Sequence, residues 1–338
     1  MIDLSTNYLG IKLRSPLVVS STPLSNSVDN VCRMQECGAA AIVLQSLFEE
    51  QLALESRALD EDLSRGTESF AESINYLPEL SDYRMTQEVY LDYLREAKAA
   101  VNIPIFASLN GATLGGWTRY AKEMEDAGAD AIELNTYALA TNRTQTSRDV
   151  ELQLLNLVDS VCQTVRIPVA VKLSPAYTSL PHLVARLEDA GARGIVLFNR
   201  FYQPDFDIET LEVRPTLHLS SPAELLSRLH WTAILYGHTN ADLAITGGVH
   251  SAEDVLKSMM AGANVAMMAS ALHVHGIDHI ARVLDDLRYW MTTHDYESIA
   301  QTRGCLSRRS APDTSPFDRG NYIKTLSSYS LRQTVSAF

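Results

Sequence analysis

Asp126-Ala127-Gly128-Ala129-Asp130-Ala131-Ile132-Glu133-Leu134 is a phrase that the chain uses more than once. It reads as the end of a helix, a glycine in the left-handed C-cap, and a strand apolar enough to be buried on both faces. The phrase returns as Glu36-Cys37-Gly38-Ala39-Ala40-Ala41-Ile42-Val43-Leu44, as Asp189-Ala190-Gly191-Ala192-Arg193-Gly194-Ile195-Val196-Leu197, and as Met260-Ala261-Gly262-Ala263-Asn264-Val265-Ala266. A helix feeding a buried parallel strand, used four times, is the repeat of an α/β fold. Outward from these phrases, apolar runs occupy 16–20, 41–46, 104–110, 131–137, 168–174, 194–199, 243–248 and 265–271. Amphipathic helical patterns fill most of the gaps, for example 115–127 and 181–190. Eight strands with helices between them predict a (β/α)8 TIM barrel in preference to an open doubly wound sheet.

No shift of composition marks a second domain, so residues 1–307 are expected to form the barrel and 308–338 a polar, proline-containing C-terminal extension. The 338 residues are 46% hydrophobic, enough for one large core. A formal charge of −13 argues against nucleic acid or an anionic membrane surface as main partner, because both require a basic footprint. No apolar run reaches membrane-spanning length, and the start lacks a basic region followed by an apolar core, which predicts a cytoplasmic protein. Cys32, Cys37, Cys162 and Cys305 form no metal or disulfide pattern, so they are expected to be reduced and structural, with no metal site.

Two long connections, 47–86 and 200–220, follow strand C-termini. In a barrel that end carries the site, so they are expected as walls or lids over it, or as surface excursions or oligomer contacts. Polar residues at the same strand ends would converge on one mouth: Ser20, Ser21, Gln45, Ser46, Asn110, Asn135, Tyr137, Lys172, Asn199 and Ser270. In Leu243-Ala244-Ile245-Thr246-Gly247-Gly248-Val249-His250-Ser251-Ala252-Glu253-Asp254 an apolar run stops at two glycines, and Ser251 with Asp254 resembles a capping box. Such a turn either cradles a phosphate on its backbone N–H groups or simply connects strand to helix. Lys172 inside an apolar strand would be costly to bury alone. It is expected either to meet an anion or electron-rich ring, or to pair with Glu133 across the barrel. Asn135 and Asn199 offer donors and acceptors suited to a flat heterocycle. No GxSxG, HExxH or GxxxxGK[ST] occurs, which ranks hydrolysis and zinc chemistry low, and His273 and His275 read as solvated or capping residues.

Taken together, these residues resemble the class 1 dihydroorotate dehydrogenases, enzymes that carry flavin mononucleotide (FMN) on a (β/α)8 barrel. The resemblance spans roughly Leu4 to Leu306 and rests on motifs in order. They are Tyr90-Leu91-Asp92-Tyr93, Glu133-Leu134-Asn135, Val171-Lys172-Leu173, Thr246-Gly247-Gly248, Ala261-Gly262-Ala263, Ala271-Leu272-His273 with Gly276, and Tyr296-Glu297-Ser298-Ile299-Ala300 with Gly304. It implies that Gly247, Gly248, Ala269 and Ser270 hold the flavin phosphate and that Ser20, Ser21, Gln45, Ser46 and Asn110 complete the cofactor site. Lys172 would lie at the pyrimidine edge of the flavin, where positive charge favours the reduced ring, and Asn135 and Asn199 would contact flavin or substrate. It also implies a homodimer and a soluble electron acceptor or an electron-transfer partner chain. Any iron–sulfur centre would sit on that partner, since this chain has no cysteine cluster.

The chain departs from the family pattern at its reacting end. The family loop Asn-x-x-Cys-Pro-Asn, whose cysteine is the base, is Asn135-Thr136-Tyr137-Ala138-Leu139-Ala140 here, so alanine occupies the base position. Gln45 stands where the family has a lysine, and Arg214-Pro215-Thr216-Leu217-His218-Leu219-Ser220 replaces a glycine-rich stretch beside the phosphate. Tyr137, Thr141 or Tyr177 could substitute as proton donor, and Arg200 or Arg214 could supply the missing charge. The expected function is an FMN-dependent dehydrogenase acting on CH–CH bonds, converting dihydroorotate to orotate in pyrimidine biosynthesis or acting on an altered substrate. The alternative is a non-catalytic barrel that binds a flavin or phosphorylated ligand and acts through a protein partner.

Overall fold

The computed structural model describes residues 2–49, 87–111, 114–137 and 139–328. A short antiparallel hairpin, β1 (Thr6–Tyr8) and β2 (Ile11–Leu13), opens the chain. The barrel strands follow as β3 (Leu17–Val19), β4 (Ile42–Phe48), β5 (Ile105–Asn110), β6 (Ala131–Asn135), β7 (Val169–Leu173) and β8 (Gly194–Leu197). A second hairpin, β9 (Asp205–Asp207) and β10 (Glu212–Arg214), precedes β11 (Asp242–Thr246) and β12 (Val265–Met268). The parallel strands close in the order β11-β12-β3-β4-β5-β6-β7-β8, the eight-stranded barrel that the repeated phrase predicts. Around it lie α1 (Val28–Glu36), α2 (Gln87–Ala100), α3 (Leu114–Asp126), α4 (Ser147–Thr164), α5 (Leu180–Asp189), α6 (Leu225–Leu235) and α7 (Ala252–Ala261). The chain continues through α8 (Ser270–His275), α9 (His279–Thr293) and α10 (Gly320–Ser328).

Alternation along each strand divides the core in two. Outward residues such as Ile42, Leu44, Ile132, Leu134, Val171, Leu173, Ile195 and Ile245 meet the buried stripes of the helices. Each such fully buried side chain contributes about 1.5–3 kcal/mol of hydrophobic stabilisation. Inward residues Val18, Val43, Phe106, Ala131, Ala170, Val196, Ala244, Val265 and Met267 fill the lower barrel, and Tyr8, Leu9 and Leu13 from the β1–β2 hairpin plug its floor. Tyr8 and Phe106 lie with ring centroids 6.0 Å apart. The plug is tied down by Asp242 Oδ2, which accepts from the Leu9 N–H at 2.7 Å, and by Asn264, whose Nδ2 donates to Asn7 O at 2.8 Å.

One step further up the same inward face, the residues turn polar: Ser20, Ser108, Glu133, Lys172 and Thr246 are all buried. That change of character fixes which end of the barrel is the site. The connection at 200–220 forms the β9–β10 hairpin, with Phe206, Ile208, Leu211 and Val213 exposed. The other long connection, 47–86, lies outside the described residues from position 50 onward. Beyond α9 the chain stays pinned to the barrel, the N–H groups of Leu306 and Arg308 donating to Met260 O and Ala233 O, each at 2.9 Å. Residues 329–338 lie outside the described set. Among the described residues, no helix is long and apolar enough to cross a membrane.

Candidate functional site

A cavity of about 580 Å³ opens at the C-terminal end of the strands. The residues expected to hold cofactor or substrate line it: Ser20, Ser21, Gln45, Ser46, Asn110, Asn135, Tyr137, Lys172, Asn199, Gly247, Gly248, Ala269 and Ser270. Ala138, which holds the family's base position, lies outside the described residues. Two substitutes considered for that base fall elsewhere. Thr141 is exposed, and Tyr177 lines neighbouring cavities, where burial and then Glu151 raise its phenol above its ordinary range. Arg214 stands on β10, paired with Asp207 at 2.6 Å.

At the base of the cavity Lys172 Nζ lies 3.2 Å from Glu133 Oε1, and both residues are buried. The pairing is between neighbouring strands rather than across the barrel: Glu133 stands opposite Ala170 and Asn135 opposite Lys172, so adjacent inward positions of β6 and β7 bring the charges together. Among the described residues, Glu133 Oε2 and the Tyr8 hydroxyl below it have no hydrogen-bond partner. Burial drives the Tyr8 phenol well above its ordinary range, with Glu133 and Asp242 adding to the effect. Above the ion pair, Asn199 Nδ2 donates to Asn135 Oδ1, and Asn199 Oδ1 accepts from the Arg200 N–H at 2.9 Å. Hydroxyls line the opposite wall, Ser46 sharing hydrogen bonds with Ser108 at 2.7 Å and with Ser21 at 3.4 Å. Gln45 accepts from Asn26 Nδ2. Tyr137 stands at the rim with its ring 4.5 Å from that of Phe201.

The far end of the cavity is the double-glycine turn. Gly247 and Gly248 both have φ of +86°, a conformation that side-chain-bearing residues seldom adopt. A Cβ on Gly248 would stand 2.5 Å from the backbone nitrogen of Leu225, so the start of α6 packs directly on the turn. The capping box expected at Ser251 and Asp254 is present at the start of α7. The side left open by the missing glycine-rich stretch is filled by Ser220. Its N–H donates to Ser270 Oγ at 3.0 Å, its hydroxyl donates to the same atom at 2.9 Å, and its Oγ accepts from the Gly248 N–H at 3.3 Å. Two hydroxyls and two backbone N–H groups therefore converge in one place, the kinds of group from which phosphate oxygens accept. The volume also lies within the range of cofactor pockets, about 300–1,000 Å³.

Three residues near the turn escape a reading of the sequence for functional residues. Ser220 sits in a connection with no periodicity. His273, read as solvated or capping, lines the cavity and shares a hydrogen bond between Nε2 and Thr22 Oγ1 at 2.8 Å. Arg228 did carry a signal, since it occupies the apolar stripe of α6 with Leu225, Thr232 and Leu235. It is buried, and burial pulls its guanidinium below the ordinary value, with Glu224 opposing that change and Arg200 adding to it.

The closed eight-stranded parallel barrel, with a polar cavity at the C-terminal ends of its strands and a buried lysine at the cavity base, defines the (β/α)8 class. Residues 80–291 match the family described as Dihydroorotate dehydrogenase, and the chain belongs to that family. Its members are flavin-dependent oxidoreductases acting on CH–CH bonds. The chain is similar to the Dihydroorotate dehydrogenase B (NAD(+)), catalytic subunit, of Thermoplasma volcanium, at 27% identity over 325 residues, 91% of this chain and all of the relative. The protein of the same description from Thermoplasma acidophilum is 24% identical over 314 residues, 91% of this chain and 100% of the relative. The Dihydroorotate dehydrogenase A (fumarate) of Limosilactobacillus reuteri is 31% identical over 177 residues, 50% of this chain and 57% of the relative.

Proposed function

We propose that this chain is an FMN-dependent oxidoreductase whose substrate is dihydroorotate or a close relative of that ring. The observation that carries the reading is the convergence in one cavity of the Gly247–Gly248 donor cup and the buried Lys172–Glu133 pair. When bound, FMN supplies a ring that accepts hydride from a carbon and passes the electrons on. The chain's own residues would do the rest. Ser220, Ser270 and the Gly248 N–H hold the phosphate, while Ser20, Ser21, Gln45, Ser46, Asn110 and Ala269 fix the remainder of the cofactor. Lys172 keeps a positive charge beside the ring, and Glu133 keeps that lysine aimed. Asn135 and Asn199, already joined by a hydrogen bond, orient the flat face of the substrate. Tyr137 at the rim is the described residue that we assign to proton exchange with the substrate.

The names of the relatives support a soluble acceptor or an electron-transfer partner chain, one being a fumarate type and two being NAD(+)-type catalytic subunits. The exposed apolar side chains of the β9–β10 hairpin favour association of two copies.

The test is an absorption spectrum of the purified protein, followed anaerobically by addition of dihydroorotate and then dithionite. Flavin bands bleached by dihydroorotate are the expected result. Bleaching by dithionite alone would keep the cofactor and reject that substrate. Failure to take up added FMN would leave a non-redox barrel that binds another phosphorylated ligand.

A further inference from the structure

We propose that Arg228 is a positioning residue for the phosphate of the bound cofactor, which shapes the Gly247–Gly248 turn and supplies the positive charge behind it; this rests on the flavin reading above. Arg228 Nε donates to Thr246 O at 2.9 Å, and Nη1 donates to Glu224 O at 2.7 Å. Thr246 is the last residue of β11, and Glu224 immediately precedes α6. The guanidinium therefore clamps the strand end to the start of the helix, with the turn between them. A Cβ on Gly247 would stand 2.9 Å from Nη2, so the cation lies directly against the backbone of the turn.

The charges around the cavity point the same way. The donors that converge at the cup, Ser220, Ser270 and the Gly248 N–H, are neutral, and neutral donors alone leave a buried phosphate charge uncompensated. Lys172 is matched one to one with Glu133. Behind the turn the count differs, because the Glu224 carboxylate serves both Arg200 at 3.1 Å and Arg228 at 3.6 Å. Among the described residues two guanidiniums share one carboxylate, which leaves an excess positive charge there. Arg200 lines the cavity but is turned toward His218 O and Glu224, so Arg228 is the member of the pair pressed against the turn.

Riboflavin separates a role toward phosphate from a role in the fold, because it keeps the ring and lacks the phosphate. The experiment measures dissociation constants of FMN and of riboflavin for the full chain stripped of flavin, as wild type, Arg228→Met and Arg228→Lys. Arg228→Met is expected to weaken FMN about tenfold or more, the loss typical of one charge-assisted contact, while riboflavin binding stays within about twofold. Arg228→Lys keeps the charge but not the fork, and should recover part of the FMN affinity. Equal losses for both flavins would mean that Arg228 only holds the fold, and no loss for either would remove it from the site; both overturn the proposal. Should Arg228→Met not fold, Arg228→Lys is judged by the same ratio. Wild-type protein that takes up neither flavin would end the flavin reading itself.

Discussion

Lys172 and Glu133 are two charges in a mostly apolar barrel, and each is the other's ion-pair partner. Removing one strands the other: Lys172→Met should cost about 3–5 kcal/mol of stability. The double variant with Glu133→Gln should recover part of that loss in denaturant unfolding, and a double variant as unstable as the single one would mean that the pair is not coupled. At the rim, Tyr137→Phe should lower turnover by about 10²–10⁴-fold if its hydroxyl exchanges the substrate proton. Unchanged turnover would move that role to another group. At the cup, Gly248→Ala should abolish tight FMN binding, because its Cβ meets backbone at 2.5 Å and its φ is left-handed. FMN titration of that variant is the check. Site residues were legible in the sequence where strand periodicity fixed their direction, as for Lys172, Asn135 and Ser20. They were not where a connection without periodicity folded back onto the site, as at Ser220. Arg228 could have been found as a charge in an apolar stripe with Glu224 four residues before it, although its partner on β11, the Thr246 carbonyl, is invisible in its own helix.

The helix–glycine–strand unit was legible because it repeats one piece of local chemistry. All four of its glycines, Gly38, Gly128, Gly191 and Gly262, have φ between +98° and +120°. The β1–β2 plug was not legible, since strands of three residues carry too little alternation to read. Its anchor gives a prediction at the scale of the element. Burial raises the Asp242 carboxyl above its ordinary 3.8, outweighing the hydrogen bond from Leu9 and the attraction of Arg303. The folded chain thus holds this proton more tightly than the unfolded one. The associated stability is present in full below the ordinary value and is lost as pH rises through the raised one. Asp242→Asn removes that dependence, so the stability of wild type minus variant should fall with rising pH in denaturant unfolding. A difference that stays flat or rises would exclude Asp242 as the source.

For the whole molecule, the cofactor and the fold are linked by mass action. Free FMN at about one hundred times its dissociation constant should stabilise the chain by about 2.7 kcal/mol. Thermal unfolding with and without FMN measures this, and an unchanged midpoint would contradict a site that forms only in the folded barrel. The closure of that barrel has a further consequence. β3 takes β12 as a neighbour, Thr6 Oγ1 donates to Asn264 O across 258 positions of chain, and the Asp3 and Ile299 N–H groups donate to Glu297 O and Asp3 O. A ribosome makes the chain from its N-terminus, so the opening strands emerge long before the residues that complete their pairing. During synthesis β3 has an open edge and the hairpin has no barrel floor to cover. The growing polypeptide must therefore be kept from joining with other unfinished copies until the segment around Asn264 has left the exit tunnel.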